Sequence, residues 1–131
     1  LDFEIFLTLT QGATLVLAPK NYQTPEAFAQ FIVKQNINAV ALVPSSLRNL
    51  LQGLKPHQRT SLKTVCCGGE VLPPELAEQF QQQTNAELFN VYGPTEATLF
   101  ATAWRYQKST QTSLPIGKPL SDTHIYIFDQ R

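Results

Sequence analysis

The sequence predicts an α/β domain with a layered, largely parallel sheet and helices on its flanks. Short apolar and β-branched runs alternate along the chain with segments of helical periodicity, which is the pattern of strand–helix–strand units. The connections between these segments are short and contain Gly, Pro and Asn at the junctions. No internal repeat or flexible linker interrupts the series, so we expect one continuous structure.

The first half of the chain contains two predicted strands and two predicted helices. Residues 12–19 are apolar and β-branched and end at proline, which predicts a buried strand. Residues 24–36 predict a helix, with Thr24 as N-cap and proline at the first helical position. Residues 38–43 predict a second buried strand. Over residues 47–54, leucines recur at i, i+3, i+4 and i+7 and predict a short amphipathic helix.

The second half of the chain contains one predicted helix and further predicted strands. Residues 73–85 open with proline, close at asparagine and predict the helix. The strands are apolar or alternating segments, and they cover residues 62–67, 86–92, 98–104 and 123–129. The last of these alternates in the manner of a half-exposed strand. Residues 115–119 (PIGKP) predict a stiff turn.

Composition excludes several classes of protein. The 131-residue chain has the length of one domain, and its 10 basic and 10 acidic residues form no basic surface for nucleic acid or a membrane. Its apolar runs are far shorter than the roughly 20 residues that a spanning helix needs, and no signal peptide is recognisable. The neighbours Cys66 and Cys67 are poorly placed to bridge each other, and they form no recognised zinc spacing with His57 and His124. We therefore expect reduced thiols and a cytoplasmic protein.

Unusual polar turns follow three of the predicted strands, at residues 44–46 (PSS), 68–70 (GGE) and 92–96 (YGPTE). In open α/β sheets, ligands bind beyond the carboxyl ends of the strands, and glycine lets a ligand approach the backbone closely. In the third turn, Tyr92 offers a planar face, Thr95 a hydroxyl for a phosphate oxygen and Glu96 a carboxylate for Mg²⁺. Together the turns predict a nucleotide lying across the sheet edge.

Simpler interpretations apply to parts of this pattern. A Gly-Gly pair after a strand is most often only a turn, and Ser after Pro is an ordinary helix start. A simple turn does not need the Tyr, Thr and Glu of YGPTE together. The chain lacks both G-x-x-x-x-G-K-[ST] and G-x-G-x-x-G, so the main phosphate contacts would lie elsewhere. It also lacks a G-x-S-x-G elbow, and thiols buried in a strand are inert as nucleophiles.

Five linked motifs resemble the adenylation domains of nonribosomal peptide synthetases, in the adenylate-forming or AMP-binding superfamily. The motifs occur in the family's order and at close to its spacing, and they are EIFLTLTQGATLVLA, LVPSSL, VCCGGEVLPPEL, NVYGPTEAT and LPIGKPLSDTHIYIFD. The match covers essentially the whole chain. The resemblance implies that residues 1–131 are part of one AMP-binding domain, truncated at both ends, and belong to the large N-terminal domain of such an enzyme.

The same resemblance implies an activity and roles for residues. A carboxylic acid attacks the α-phosphate of ATP with the help of Mg²⁺, giving an acyl adenylate and pyrophosphate. The acyl group then passes to the phosphopantetheine thiol of a peptidyl carrier protein domain. In the nucleotide site, Asn90 and Tyr92 would contact adenine, and the backbone of Gly69 and Glu70 would line its pocket. Gly93 would also belong to the nucleotide-binding residues, Thr95 would touch the α-phosphate and Glu96 would bind Mg²⁺.

The family's side-chain pocket maps onto apolar or small residues, namely Phe3, Leu42, Cys66, Gly68, Val91, Leu99 and Phe100. This set favours a hydrophobic amino acid, because a buried charge here would lack a partner. Phe3 stands where the family usually has Trp. The family's Asp for the substrate amino group lies in a segment before residue 1, so amino, hydroxy and keto acids stay open.

Other interpretations within and outside the enzyme class stay open as well. One is a fatty-acid or aryl-acid ligase, although such enzymes often lack the Pro of YGPTE. Another is an inactive structural remnant, although a remnant has no reason to keep Thr95 and Glu96. The family's phosphate loop lies upstream, and its ribose-binding Asp and catalytic Lys lie downstream. The isolated chain is therefore expected to be inactive.

Overall fold

The structure, a computed structural model, describes residues 2–18, 24–55, 58–97, 99–108 and 112–129. The helices of this part of the chain are α1 (Asp2–Thr10), α2 (Pro25–Lys34), α3 (Pro44–Gly53), α4 (Pro74–Gln83) and a short 3-10 helix (Thr95–Ala97). The strands are β1 (Ala39–Leu42), β2 (Thr64–Gly68), β3 (Glu87–Tyr92), β4 (Thr102–Arg105) and β5 (Lys118–Pro119).

The strands form one sheet in the order β1-β2-β3-β4-β5. The first three strands run parallel, and α3 and α4 connect them as crossovers. β4 and β5 add to the β3 edge as antiparallel strands. The prediction of an α/β fold with a largely parallel sheet and flanking helices is confirmed.

Local sequence signals explain where the helices begin and end. The Thr24 hydroxyl caps α2 by accepting a hydrogen bond from the backbone N–H of Ala27 at 3.2 Å. Proline occupies the first turn of α2, α3 and α4, where its missing N–H costs no helical hydrogen bond. Asn36 adopts a φ of 52° just after α2, a left-handed conformation that ends helices and that asparagine tolerates. These features confirm the predicted helices at 24–36, 47–54 and 73–85 to within a few residues.

Helices α2, α3 and α4 bury one face of the sheet. The core joins buried residues of the helices, such as Leu50 and Phe80, to Val65, Cys67 and Leu88 of the strands. Each such leucine or phenylalanine contributes about 1.5–3 kcal/mol through burial. At Gly53 a Cβ would overlap the carbonyl oxygen of Pro25, so the glycine lets the end of α3 approach the start of α2.

The opposite face of the sheet carries Cys66, Phe89 and Ala103, because each is one residue out of phase with the buried set; Phe89 lies opposite Cys66, and Ala103 lies opposite Val91. These three side chains are half-buried. We call this surface the open face. The sheet therefore has one face packed by helices of the described chain and one face that is only partly covered.

Several predicted elements are wrong. The described part of the predicted strand 12–19 has no regular structure. Residues 123–129 also form no strand, and Ile127 within them is 96% exposed. Apolar or alternating sequence is not sufficient, because a strand also needs a neighbour for its backbone hydrogen bonds, and neither segment pairs with a strand in the described part of the chain. The strand predicted at 98–104 begins only at Thr102, after a closed loop. Within the predicted turn 115–119, Lys118 and Pro119 form the short edge strand β5.

Candidate functional site at the carboxyl edge of the sheet

The parallel strands end together at one edge of the sheet. Leu42 pairs with Cys67, and Gly68 pairs with Val91, so the turns after β1, β2 and β3 start within one or two residues of each other along the edge. These are the three turns that the sequence singled out. Their juxtaposition follows from the parallel register, since parallel strands bring like ends to the same side.

The GGE turn after β2 is tied to the start of α3. Glu70 accepts two hydrogen bonds from Ser45, one from the backbone N–H and one from the hydroxyl, each at 3.3 Å. Gly69 has a φ of +82°, a conformation that favours glycine. A Cβ there would lie 3.3 Å from a methyl of Val43, so the turn also runs close to the end of β1. Two of the three predicted turns are therefore in direct contact.

The YGPTE turn after β3 forms a tight loop that returns to the sheet. The carbonyl of Tyr92 accepts a hydrogen bond from the N–H of Ala101 at 2.7 Å, which closes the loop. A Cβ at Gly93 would overlap the carbonyl oxygen of Leu99, so only glycine permits this approach. The 3-10 helix at the loop's tip leaves Thr95 and Glu96 exposed. Both polar side chains are thus accessible to a ligand at the edge.

Asn90 and Tyr92 lie two residues apart on β3 and share the helix-covered face of the sheet. Tyr92 is 48% exposed, so its ring is accessible at the edge. Asn90 is only 6% exposed, and its amide donates a hydrogen bond to the carbonyl of Pro115 at 2.8 Å. That bond fixes the orientation of the buried amide and anchors the PIGKP segment. The predicted adenine-contacting pair therefore has one accessible member and one member held by the fold.

The predicted side-chain pocket is only partly assembled by the described residues. Cys66, Gly68 and Val91 share the open face, and a Cβ at Gly68 would lie 2.8 Å from a methyl of Val91. The register puts Leu42 on the other face, where it packs against the core. Leu99 and Phe100 are half-buried, with their backbone against Gly93. The side chain of Phe3 lies outside the described part of the structure, although its backbone belongs to α1.

The two adjacent cysteines have different environments. Cys67 is fully buried in the core, and burial, with a smaller effect of the nearby Glu70 charge, raises the pKa of its thiol to about 12. Cys66 is half-buried on the open face, and burial also raises its pKa. Both thiols are free and stay protonated near neutral pH. The raised pKa values disfavour the thiolate form that a nucleophile needs.

The donor groups at the edge fit a nucleotide with a magnesium ion. Mg²⁺ in nucleotide sites commonly takes one or two protein carboxylates and completes its shell with phosphate oxygens and water. The exposed carboxylate of Glu96 has the chemistry of such a ligand, and the described residues contain no cluster of three acidic, His or Cys side chains that would hold the ion alone. The exposed ring of Tyr92 offers a flat face at the same edge.

Two contacts at this edge were missed from the sequence. Ser45 was interpreted only as part of a helix start, yet it is the partner of Glu70. Its position just after Pro44, where helical N–H groups need acceptors, was the available signal. The acceptor of the Asn90 amide, the backbone carbonyl of Pro115, carries no side-chain signature and could not be found by pattern.

Comparison with known proteins assigns the family. The family of AMP-binding enzymes matches residues 1–131. This chain belongs to that family. The phosphinothricin tripeptide synthetase PhsB of Streptomyces viridochromogenes is 39% identical over 129 residues, which cover 97% of this chain and 11% of PhsB. The resemblance to adenylation domains of nonribosomal peptide synthetases is thereby confirmed.

Solved structures agree with this assignment. The Vibrio cholerae adenylation domain AlmE, in complex with glycyl-adenosine-5'-phosphate, matches with a TM-score of 0.80 and 35% identity over 90% of this AMP-binding chain and 23% of AlmE. PA1221, which contains adenylation and PCP domains, matches with a TM-score of 0.85 and 25% identity over 98% of this chain and 26% of its own. The chain thus spans about a tenth of PhsB and about a quarter of these solved chains.

No helix in the described part of the chain has the length and apolarity needed to cross a membrane.

Proposed function

We propose that this chain is the nucleotide-binding part of an adenylate-forming ligase that activates a hydrophobic amino acid with ATP and Mg²⁺. The observation that carries the proposal is the shared edge of the parallel strands. There, the exposed Thr95 and Glu96 lie on the loop that follows β3, beside the accessible ring of Tyr92 and the glycine turn at Gly69.

Tyr92, Thr95 and Glu96 are exposed, which supports their roles, whereas the role of the buried Asn90 rests on the resemblance to the family. The Tyr92 ring stacks on adenine, and the amide of Asn90 contacts the edge of the base, while the turn at Gly69 and Glu70 lines the pocket with backbone. The Thr95 hydroxyl donates to the α-phosphate. Glu96 holds Mg²⁺, which when bound neutralises charge on the phosphates. Such groups lower the barrier most where they meet charge that develops during the reaction.

The substrate is proposed to be a hydrophobic amino acid. Cys66, Gly68 and Val91 are uncharged residues on the open face, Cys66 half-buried and the other two buried, and they would leave a charged substrate side chain without a partner. AlmE, the relative that holds a glycyl adenylate, supports an amino acid as the acid. A hydroxy or keto acid with the same side chain would use the same surface. Such acids differ from an amino acid only at the α-substituent, which the family binds through an Asp in a segment before residue 1.

The acyl group is then passed to the phosphopantetheine thiol of a peptidyl carrier domain. PA1221, which joins adenylation and PCP domains, supports this partner. Residues 1–131 are one section of the catalytic domain, and the complete protein supplies the remaining phosphate and ribose contacts. The isolated chain is proposed to be inactive for that reason.

The test is acid-dependent exchange of pyrophosphate into ATP by the complete protein that contains residues 1–131. A panel of aliphatic, aromatic and polar amino acids, hydroxy acids, aryl acids and fatty acids would be compared. Exchange with one aliphatic or aromatic amino acid is expected. Exchange only with aryl or fatty acids would keep the adenylation chemistry and change the substrate class. A well-folded protein that exchanges with no acid would contradict the proposal and favour an inactive remnant of the fold.

A further inference from the structure

We propose that the Glu70 side chain is a positioning residue that holds the GGE turn in its adenine-binding shape by anchoring it to the first turn of α3. The inference rests on the proposed function, since it gives a role to a side chain beside the backbone that would line the base. Glu70 does not need to touch the nucleotide or the reacting phosphates for this role.

The anchor consists of two contacts made by one carboxylate. One oxygen of Glu70 accepts from the Ser45 backbone N–H and the other accepts from the Ser45 hydroxyl, each at 3.3 Å. Because both of its oxygens are bonded, the carboxylate is fixed in orientation as well as in distance from Ser45. The tie links two chain segments 25 residues apart in sequence, the turn after β2 and the start of α3.

The start of α3 has a need for this acceptor. The first N–H groups of any helix lack intrahelical partners and carry the positive end of the helix dipole. Val43, the residue at the N-cap position, provides no side-chain cap, and Pro44 has no N–H. The carboxylate of Glu70 therefore supplies both a hydrogen-bond acceptor and a favourable negative charge at a helix end that lacks its own cap.

The turn has an equal need for an anchor. Gly68 is held by pairing with Val91, but the next residue, Gly69, has the φ of +82° and the conformational freedom of glycine. Without a fixed point beyond it, the backbone of residues 69–70 could adopt other shapes. The Ser45–Glu70 tie provides that second fixed point, so the two glycines are fixed at both ends. The affinity for the nucleotide should then depend on the Glu70 side chain, although that side chain contacts Ser45 of α3 and not the nucleotide.

The experiment compares Glu70→Ala, Glu70→Gln and Ser45→Ala in the complete protein, by the KM for ATP and the kcat of pyrophosphate exchange. ATP binding by calorimetry measures affinity without turnover. Glu70→Ala is expected to raise the KM for ATP roughly two- to fivefold, the size typical of a charge at an exposed helix terminus, with kcat and the KM for the acid nearly unchanged. Glu70→Gln should recover part of the loss, because its amide oxygen can still accept from the Ser45 N–H.

The Ser45→Ala variant should have a smaller effect than Glu70→Ala, because it removes one of the two contacts. Adding Ser45→Ala to Glu70→Ala should cause little further loss, as expected for two residues that act through one interaction. The matched control is Thr24→Ala, which removes the cap of α2. Helix α2 begins beside Gly53, at the other end of α3 from Ser45, so this control should lower the unfolding temperature and leave the KM for ATP unchanged.

Three results would overturn the inference. Glu70→Ala could lower only the unfolding temperature, as Thr24→Ala does, which would make Glu70 a helix cap and nothing more. It could lower kcat with an unchanged KM, which would mean contact with the reacting groups. The losses from Ser45→Ala and Glu70→Ala could simply add. A wild-type protein that binds no adenine nucleotide would instead overturn the proposed function, and the positioning role with it.

Discussion

The two faces of the sheet differ in what covers them. On one face, Val65, Cys67 and Leu88 are closed off by α2, α3 and α4 and are almost fully buried. On the open face, Cys66, Phe89 and Ala103 are only half-buried. The neighbours Cys66 and Cys67 show the contrast most simply. Because side chains alternate along a strand, Cys66 lies on the open face and Cys67 on the covered face.

The difference separates stability from function along the same strands. On the helix-covered face, Val65, Cys67 and Leu88 are packed by helices of the described chain, so these residues serve mainly stability. The carboxyl edge keeps accessible groups at Tyr92, Thr95 and Glu96. On the open face, the half-buried Cys66 lies beside the buried Gly68 and Val91, and all three match the family's side-chain pocket. Substitutions on the two surfaces should therefore affect different measurements.

The largest contrast is expected for two phenylalanines. Phe80 of α4 is fully buried against the covered face, whereas Phe89 of β3 is half-buried on the open face. In the chain 1–131, Phe80→Ala should lower the free energy of unfolding by about 3–5 kcal/mol, because it leaves a cavity in the core. Phe89→Ala should cost much less, since water already reaches part of its ring. Urea unfolding followed by circular dichroism measures both.

Phe80→Leu is a milder variant for the case in which Phe80→Ala does not fold, and it should still be less stable than Phe89→Leu. Equal losses at both positions would contradict the contrast between the faces. Repeating the pair in the complete protein sharpens the comparison. If the cost at Phe89 rises there to that at Phe80, the open face is an internal surface of the larger molecule.

The next largest effect concerns chemistry at the carboxyl edge. In the complete protein, Glu96→Gln should reduce adenylation about 100-fold, because the carboxylate on Mg²⁺ counts most in the transition state. Binding of the amino acid should change little, since Glu96 lies on the exposed tip of the loop after β3. Pyrophosphate exchange measures the first quantity and calorimetric titration with the acid measures the second.

The matched control for that substitution is Glu26→Gln, the same change at an exposed glutamate in the first turn of α2. It should leave both adenylation and amino-acid binding at wild-type levels. Equal losses of adenylation and binding in Glu96→Gln would instead make Glu96 a structural residue of the turn.

Elements whose partners are close in sequence were predictable. Thr24 and Pro25 specify the start of α2 by themselves, and the leucine periodicity of α3 marks its buried side. The three parallel strands were also found, because each is an apolar run bounded by turn residues. By contrast, residues 123–129 alternate like a strand but do not pair, since alternation says nothing about whether a neighbour is present.

The candidate site was predictable in its residue types and less so in its contacts. Glycines 69 and 93 could be selected because a close backbone approach requires them, and the structure gives each one a reason. The tie from Ser45 to Glu70 depends on how β1 and β2 align, a long-range fact that local pattern does not contain. The bond from Asn90 to Pro115 ends on a backbone carbonyl, which any residue could provide.

The smallest predicted effect separates the two cysteines by pH. Burial raises the pKa of Cys67 from its ordinary value near 9 to about 12, so between these values the unfolded chain releases a proton that the folded chain keeps. The free energy of unfolding should therefore be nearly unaffected by this thiol up to about pH 8 and should fall as pH rises through 9 towards 12, with about 1.4 kcal/mol lost by pH 10. Urea unfolding of the chain 1–131 at pH 8 and pH 10 measures the difference.

In Cys67→Ala the loss of stability between the two pH values should shrink by that amount, whatever the variant's stability at pH 8. Cys66→Ala, on the open face, should shrink it less. If wild type and Cys67→Ala lose equal stability between pH 8 and pH 10, the covered face does not hold its thiol in the neutral form.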